Sequence, residues 1–175
     1  MNRFYKILSL LLDYPDEELY RGLPEIEAAI TGLPGLSSAE KQALTAHCQW
    51  MQSLPVLELQ AQYVQTFDLT AEHSLHLTHH LFGDDRGRGP ALVDLGEFYK
   101  HTGLETAGGE LPDYLPLILE YVATLDEMAA RVFLSDAAKV IKVLAENLAQ
   151  ADSPYAALLA LIDKRAGMVP QVANS

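Results

Sequence analysis

The stretch RFYKILSLLLDYP, residues 3–15, decides the class of fold at the start of the chain. Phe4, Ile7 and Leu11 recur at intervals of three or four residues, which places them on one face of a helix. The Asp-Tyr-Pro step at the end of the stretch then interrupts the apolar run. The segment therefore predicts an amphipathic helix whose apolar face other helices must cover.

The same spacing recurs along the rest of the chain. The further apolar stripes at helical intervals are Leu19/Leu23/Ile26/Ile30, Leu59/Tyr63/Phe67, Leu92/Leu95/Tyr99, Leu115/Ile118/Leu119/Val122, Ile141/Leu144/Leu148 and Leu158/Leu161/Ile162. Alternating runs bounded by turn dipeptides, which would predict strands, are nearly absent. The sequence predicts an all-α protein, a single-domain helical bundle over residues 1–165, with a flexible tail at 166–175.

Proline and serine positions predict where several helices begin or break. Ser37 with Glu40 forms a capping-box pattern, which predicts a helix from there to about residue 54. Pro24 predicts a kink or two short helices within the second stripe. Pro112 is expected to open one helix, and Ser135 is expected to cap another.

Composition excludes several classes of function. The 175 residues contain 24 acids and 12 bases, a formal net charge of −12, which opposes binding to nucleic acid and to anionic lipid. Residues 42–130 hold thirteen of the acids and only three bases, so the excess lies mainly in the middle of the chain. No apolar stretch is long enough for a membrane span, and no signal peptide is expected. The single cysteine, Cys48, is expected to be buried and suits a reducing cytoplasm.

Histidines suggest a metal site at first sight. His76 and His80 lie four residues apart, so on a helix they would share a face, and His73 is close by. No acidic residue stands between His76 and His80, and leucines interleave with the histidines. An imidazole-rich polar helix face is the better interpretation, and a His-rich metal-binding protein remains the alternative.

A glycine-rich loop at residues 83–89 contains Arg86 and Arg88, the only bases between residues 42 and 99. The loop lacks the lysine and hydroxyl of a P-loop, and no strand precedes it. Nucleotide hydrolysis there is therefore a weak hypothesis. The sequence contains no convincing nucleophile and base pair, so no catalytic residue and no cofactor of the protein's own are expected.

The segment Glu110-Leu-Pro-Asp-Tyr-Leu-Pro116 combines two acids, an aromatic residue and two prolines. Acids at a helix start interact favourably with the helix dipole, so a purely structural role is one interpretation. An acidic and aromatic ledge for a basic amphipathic peptide is the other.

Several ordered motifs together resemble a known family. They are YVQTFDL at 63–69, SLHL at 74–77, GDDRGRG at 83–89, LVDL at 92–95, ELPDYLP at 110–116 and LEY at 119–121. In this order they resemble the nitrate reductase delta subunit, the molybdenum-cofactor assembly chaperone among the redox-enzyme maturation proteins. The resemblance covers about residues 4–150.

The resemblance implies an all-helical cytoplasmic chaperone that is neither an enzyme nor part of the finished oxidoreductase. Its implied partner is the catalytic (alpha) subunit of respiratory nitrate reductase, bound through its N-terminal leader-like peptide and a further region. Molybdenum cofactor and iron–sulfur clusters would then enter before the subunit docks at the membrane. A chaperone of an amine-oxide or sulfoxide reductase is the alternative within the family, although the Pro-Asp-Tyr step at 112–114 resembles the nitrate reductase branch better.

Combined with the charge pattern, the resemblance suggests a set of partner-binding residues. Those expected to give apolar contacts are Tyr63, Phe67, Leu75 and Tyr114, and those expected to meet basic side chains are Asp68, Glu110, Asp113 and Glu120. Core packing is the alternative for each aromatic residue, and for Tyr63 and Phe67 it is at least as well supported. Arg86 and Arg88 are expected to brace their loop through ion pairs with neighbouring acids.

Overall fold

The computed structural model describes residues 2–82, 86–101 and 110–167. Within these ranges the chain forms ten α-helices and no strand of a sheet. The helices are α1 Arg3–Leu12, α2 Glu17–Thr31, α3 Ser38–Gln52, α4 Val56–Tyr63, α5 Leu77–Phe82, α6 Arg88–His101, α7 Leu115–Val122, α8 Glu127–Ser135, α9 Ala138–Gln150 and α10 Ala156–Gly167. The predicted all-α, single-domain bundle is confirmed.

Short polar side chains cap the N-termini of α2, α3 and α8. The Ser37 hydroxyl accepts from the backbone N–H of Glu40 at 3.1 Å, and the Glu40 carboxylate accepts from the Ser37 N–H at 3.3 Å. This reciprocal pair is the predicted capping box. Asp16 and Asp126 cap α2 and α8 in the simpler way, each accepting from the N–H three residues on.

Two predicted helix boundaries are wrong, and of the two outcomes expected at Pro24, a kink or two short helices, the second is wrong. Pro24 lies inside an unbroken α2 on its exposed side, where water can solvate the carbonyl that loses its partner. Ser135 ends α8 and donates back to the Val132 carbonyl, while α9 begins at Ala138 without a side-chain cap. Pro112 precedes the helix it was expected to open, since α7 starts at Leu115.

The helix predicted to run to Phe67 changes character before its end. α4 stops at Tyr63, and the next five residues, Val64–Asp68, form a π-helical turn. A π turn rotates the following side chains relative to a regular helix, and such turns are frequent at functional sites. Here the turn places Phe67 in the interior, 4.8 Å between ring centroids from both Tyr63 and Tyr155.

The core runs the length of the bundle. α1 packs mainly on α7, α2 on α3, and α9 on α10. Apolar residues of all these helices are buried in one cluster that includes Leu8, Leu44 and Leu144. Cys48 is buried as predicted, and burial raises the pKa of its thiol to about 12. The cysteine is therefore part of the packed interior.

The last described helix continues beyond the predicted domain end at residue 165. α10 ends at Gly167, and Ala166 is buried. The remainder of the predicted tail, 168–175, lies outside the described residues. None of the described helices combines the length and the apolar content that crossing a bilayer requires.

Candidate functional site

The ELPDYLP segment at 110–116 lies alongside the SLHL segment at 74–77, so two motifs far apart in sequence form one unit. The N–H of Leu77 donates to the Asp113 carbonyl at 3.1 Å, and the N–H of Leu115 donates to the Leu75 carbonyl at 2.9 Å. These two bonds form an isolated antiparallel bridge. The bridge fixes the start of α7 against the chain that enters α5.

Asp113 is the buried centre of this unit. Its carboxylate accepts from both the backbone N–H and the hydroxyl of Thr78, and lies 3.3 Å from Nδ1 of His76 and 3.9 Å from Arg88. Arg88 also donates from Nε to the Thr78 hydroxyl at 3.0 Å. Burial raises the pKa of Asp113, yet the hydrogen bonds from His76 and Thr78 outweigh it and hold that pKa below its ordinary value.

This arrangement differs from the expectation that Asp113 meets basic side chains of a partner. Its side chain is fully buried, and its oxygens are already occupied by Thr78, His76 and Arg88. A buried carboxylate is stable only with such internal partners, because its hydration is lost. In this conformation Asp113 positions its neighbours, and its side chain is not accessible to a partner protein.

His76 links this buried centre to the surface. Its ring lies between Asp113 and the exposed Glu110, whose Oε1 is 3.8 Å from Nε2. The hydrogen bond to Asp113 raises the pKa of His76, and burial only partly opposes that increase. The ring also packs against Tyr114, with centroids 5.2 Å apart.

Tyr114 and Tyr63 connect the segment to the end of α1. Their hydroxyls are 2.5 Å apart, the Tyr63 hydroxyl reaches the Leu12 carbonyl at 2.8 Å, and the Tyr114 hydroxyl reaches the Asp13 carboxylate at 3.1 Å. Tyr63 is buried and Tyr114 is half-buried. The polar chain therefore leads from the core to an exposed carboxylate.

Beside Tyr114 lies an open groove of about 270 Å³, which we call the carboxylate groove. Its lining residues are Ser9, Asp13, Glu110, Tyr114, Pro116, Leu117 and Glu120. Three of them are carboxylates. Among the described residues, the basic side chains that contact these carboxylates are Lys6, 3.4 Å from Glu120, and His76, 3.8 Å from Glu110. The groove therefore combines an aromatic wall with concentrated negative charge.

The carboxylate groove contains three of the eight predicted partner-binding residues, Glu110, Tyr114 and Glu120. Tyr63 and Phe67 are buried, as the core-packing alternative has it, although the Tyr63 hydroxyl still contacts Tyr114. Leu75 is buried as well. Asp68 is exposed and does not line the groove.

The arginines of the glycine-rich loop behave differently from each other. Arg88 is the first residue of α6 and pairs with Asp113, a distant acid and not one of the neighbouring acids that were expected. Arg86 is exposed, and its predicted partners at 84 and 85 lie outside the described residues. Arg88 therefore pairs with the 110–116 segment and not with an acid of its own loop.

The histidines do not converge. His73 contacts the Thr66 carbonyl, His80 contacts the Ser74 carbonyl, and His76 faces Asp113. Within the described ranges, no three His, Cys, Asp or Glu side chains are placed so that they could hold a metal ion. The metal-binding alternative gains no support from this geometry.

Asp13 is the acidic residue of the carboxylate groove that sequence reasoning did not select. It lies 101 positions before Tyr114, and only the fold brings the two together. The Asp-Tyr-Pro step that ends the first apolar run is the available signal, but by itself it indicates a helix end and a turn and not a binding residue.

The family model of the nitrate reductase delta subunit matches residues 33–160. The chain belongs to this family. All eight predicted partner-binding residues lie within the matched range, whereas α1 and α2 precede it.

Individual relatives agree with this family assignment. The nitrate reductase molybdenum cofactor assembly chaperone NarJ of Escherichia coli K12 is 39% identical over 160 residues, which cover 91% of this chain and 68% of the relative. The nitrate reductase-like protein NarX of Mycobacterium tuberculosis H37Rv is 31% identical over 96% of this chain and 25% of its own length. A crystal structure of a candidate redox enzyme maturation protein from Archaeoglobus fulgidus has the same fold, with a TM-score of 0.67 at 22% identity, covering 94% of this chain and 92% of that one.

Proposed function

We propose that this delta-family protein is an assembly chaperone that binds the catalytic subunit of a respiratory nitrate reductase before its cofactors are complete. The N-terminal segment of that subunit is the ligand, and molybdenum cofactor and iron–sulfur clusters enter while the chaperone holds it. The family match and the assembly chaperones among the relatives support the chaperone role.

One observation supports the ligand class. Asp13, Glu110 and Glu120 line a single groove together with the aromatic side chain of Tyr114. Carboxylates around an aromatic wall suit a basic and partly apolar peptide, because charge complementarity guides the encounter and the ring provides apolar contact area. Anionic ligands are disfavoured in the same groove.

Asp113 takes a supporting part in this proposal. Through Thr78 and Arg88 it fixes the bridge between residues 74–77 and 110–116. The bridge in turn holds Glu110 and Tyr114 at the groove. Binding residues on such a fixed backbone lose less conformational freedom when a ligand is bound.

Titration calorimetry with a synthetic peptide tests the proposal directly. The peptide reproduces the N-terminal segment of the nitrate reductase catalytic subunit from the same organism. We expect binding at low salt that weakens as salt is added, because part of the attraction is between charges. No binding at low salt would overturn the proposal, and stronger binding of an amine-oxide or sulfoxide reductase leader would reassign the partner.

A genetic complementation test addresses the assembly role itself. In a strain without its own delta-family chaperone, expression of this protein is expected to restore nitrate reductase activity and molybdenum content of the purified enzyme. Enzyme that is abundant but remains without molybdenum would contradict the cofactor-insertion step.

A further inference from the structure

A second groove lies between α1 and α2. The two helices are joined by a short connection, residues 13–16, yet α1 packs mainly on α7 and α2 packs mainly on α3. Because each helix has its principal partner elsewhere, an open channel of about 550 Å³ remains between them, which we call the α1–α2 groove.

Apolar side chains form the floor of the α1–α2 groove. Ile7 and Leu10 contribute from α1, and Leu19 and Ile26 contribute from α2. Leu10, Leu19 and Ile26 are only partly buried, so the floor still exposes apolar surface. On each helix the lining residues recur at three-, four- and seven-residue intervals, which is the pattern of one continuous helix face.

Acids dominate the rim. Asp13, Asp16, Glu18 and Glu25 are all exposed and line this groove, together with two bases, Arg3 and Lys6. Lys6 already pairs with Glu120 of the carboxylate groove at 3.4 Å. The unbalanced charge of the rim is therefore negative.

The two grooves meet at one residue. Asp13 lines both the α1–α2 groove and the carboxylate groove. Ser9 of α1 lines the carboxylate groove and does not line the α1–α2 groove. An elongated ligand can thus extend from Glu110 and Tyr114 past Asp13 onto the apolar floor.

We propose that the α1–α2 groove binds the apolar face of the same basic segment whose charged residues contact the carboxylate groove. This inference rests on the proposed function and adds the second half of the binding surface. An amphipathic helical segment is the occupant, with its apolar residues between α1 and α2 and its basic end at Asp13.

Charge complementarity and continuity support this occupant. An amphipathic helix anchors through apolar residues at helical spacing, and the facing stripes of α1 and α2 present apolar residues at that spacing. The exposed carboxylates at Asp13, Asp16 and Glu18 lie at the end where the two grooves join, and Arg3 lies toward the start of α1. A helical segment with its basic end at Asp13 places its basic residues beside these carboxylates and its other end beside Arg3.

Gly22 offers a direct way to fill the α1–α2 groove. It lies on α2 in the groove lining, and a Cβ built there meets no atom within 4 Å. Gly22→Trp should fill the channel without displacing the core. Gly96 on α6 has the same open surroundings and lines neither groove, so Gly96→Trp is the matched control.

The test is calorimetric titration of the N-terminal peptide into wild type, Gly22→Trp, Gly22→Ala and Gly96→Trp. We expect Gly22→Trp to raise the dissociation constant by about tenfold or more, since the displaced apolar contacts are worth at least that factor. Gly96→Trp should stay within about twofold of wild type, and Gly22→Ala, which adds only a methyl group to the groove, should weaken binding less than Gly22→Trp does. Circular dichroism of every variant checks that the helices are intact.

Two outcomes would overturn the inference and leave the proposed function intact. The first is wild-type affinity in folded Gly22→Trp. The second is wild-type affinity in Glu18→Lys and Glu25→Lys, which reverse exposed charges of the rim. These two variants test the inference even if Gly22→Trp does not fold. Failure of the peptide to bind even wild-type protein would instead count against the proposed function.

A peptide with altered composition separates the two grooves. Replacing its apolar residues by serine should abolish the difference between wild type and Gly22→Trp. Replacing its basic residues by glutamine should leave that difference in place. Any other pattern would contradict the assignment of apolar contacts to the α1–α2 groove.

Discussion

The hydroxyl of Tyr63 lies 2.5 Å from the hydroxyl of Tyr114, joining the buried end of α4 to the wall of the carboxylate groove. Tyr63 belongs to an aromatic cluster that includes Phe67 and Tyr155, whereas Tyr114 reaches Asp13 at the surface. Core packing and the candidate binding surface are therefore coupled through one hydrogen bond.

The two tyrosines should respond differently to removal of the hydroxyl. Tyr63→Phe leaves the buried Leu12 carbonyl without its donor and should lower the free energy of unfolding by about 1–2 kcal/mol. Tyr114→Phe keeps that bond and should cost less than about 1 kcal/mol, because its other partner, Asp13, is solvated. Urea unfolding of both variants measures the difference, and equal losses would contradict the larger contribution of the buried bond to Leu12.

Asp113 should matter more for stability than any exposed acid of the same segment. Asp113→Asn removes the charge that Thr78, His76 and Arg88 surround, and should lower the free energy of unfolding by about 2–3 kcal/mol. Glu110→Gln is the matched control on an exposed neighbour, with an expected change within about 0.5 kcal/mol. Similar losses in the free energy of unfolding for the two variants would contradict the buried, hydrogen-bonded position of Asp113.

Much of the fold was predictable because helix periodicity is a local property. The apolar stripes of α1, α7 and α9 and the capping box at Ser37 depend on residues at most one or two turns apart. Two short helices do not form at Pro24 because the proline lies on an exposed helix face, where water can replace the lost backbone partner.

The candidate site was only partly predictable because its partners are distant in sequence. Glu110, Tyr114 and Glu120 were identified, but an acid near a helix start looks exposed in sequence, and nothing local indicates that Asp113 is buried. Its partner His76 lies 37 positions earlier. Asp13 was missed for the same reason, since only the packing of α1 on α7 brings it to the groove.

Stability should rise between about pH 4 and pH 6.5 because of His47. Burial lowers the pKa of His47 to about 4, against an ordinary value of 6.5, and the ring packs against both Trp50 and Tyr155. In this range the unfolded chain binds a proton that the folded protein does not, so acid favours unfolding. The contribution is about 3 kcal/mol, present in full above pH 6.5 and lost as the pH falls to about 4.

Unfolding free energies at closely spaced pH values measure this effect, with His47→Phe as the comparison. The phenylalanine keeps the aromatic packing and cannot titrate, so the rise between pH 4 and 6.5 should become shallower. The lowered pKa of Asp113 acts at more acidic pH, below its unfolded value, and should remain visible in both proteins. An unchanged slope in His47→Phe would show that other groups are responsible.

The carboxylate groove should bind its peptide less well after charge reversal. Glu110→Lys is expected to weaken binding by about three- to tenfold at low salt, with a smaller effect at high salt, since exposed charges are screened. Glu146→Lys reverses an exposed acid on α9, outside both grooves, and should change affinity by less than about twofold. Equal weakening in both variants would point to net charge, and not to the groove.

The end of α10 should prove essential for the stability of the bundle through Arg165. This buried guanidinium donates to Glu40 and to Glu127, both at 3.1 Å, and so connects α10 to α3 and α8. Arg165→Met leaves the buried Glu40 carboxylate short of a partner, which should cost about 3 kcal/mol in the free energy of unfolding. Lys164 contacts the same carboxylate, but 56% of its side chain is exposed, against 9% for Arg165. Lys164→Met should therefore lower the free energy of unfolding by less than about 1 kcal/mol. Urea unfolding of Arg165→Met and Lys164→Met measures the two losses of stability. Comparable losses would mean that the burial of Arg165 does not make its ion pair with Glu40 stronger than that of Lys164.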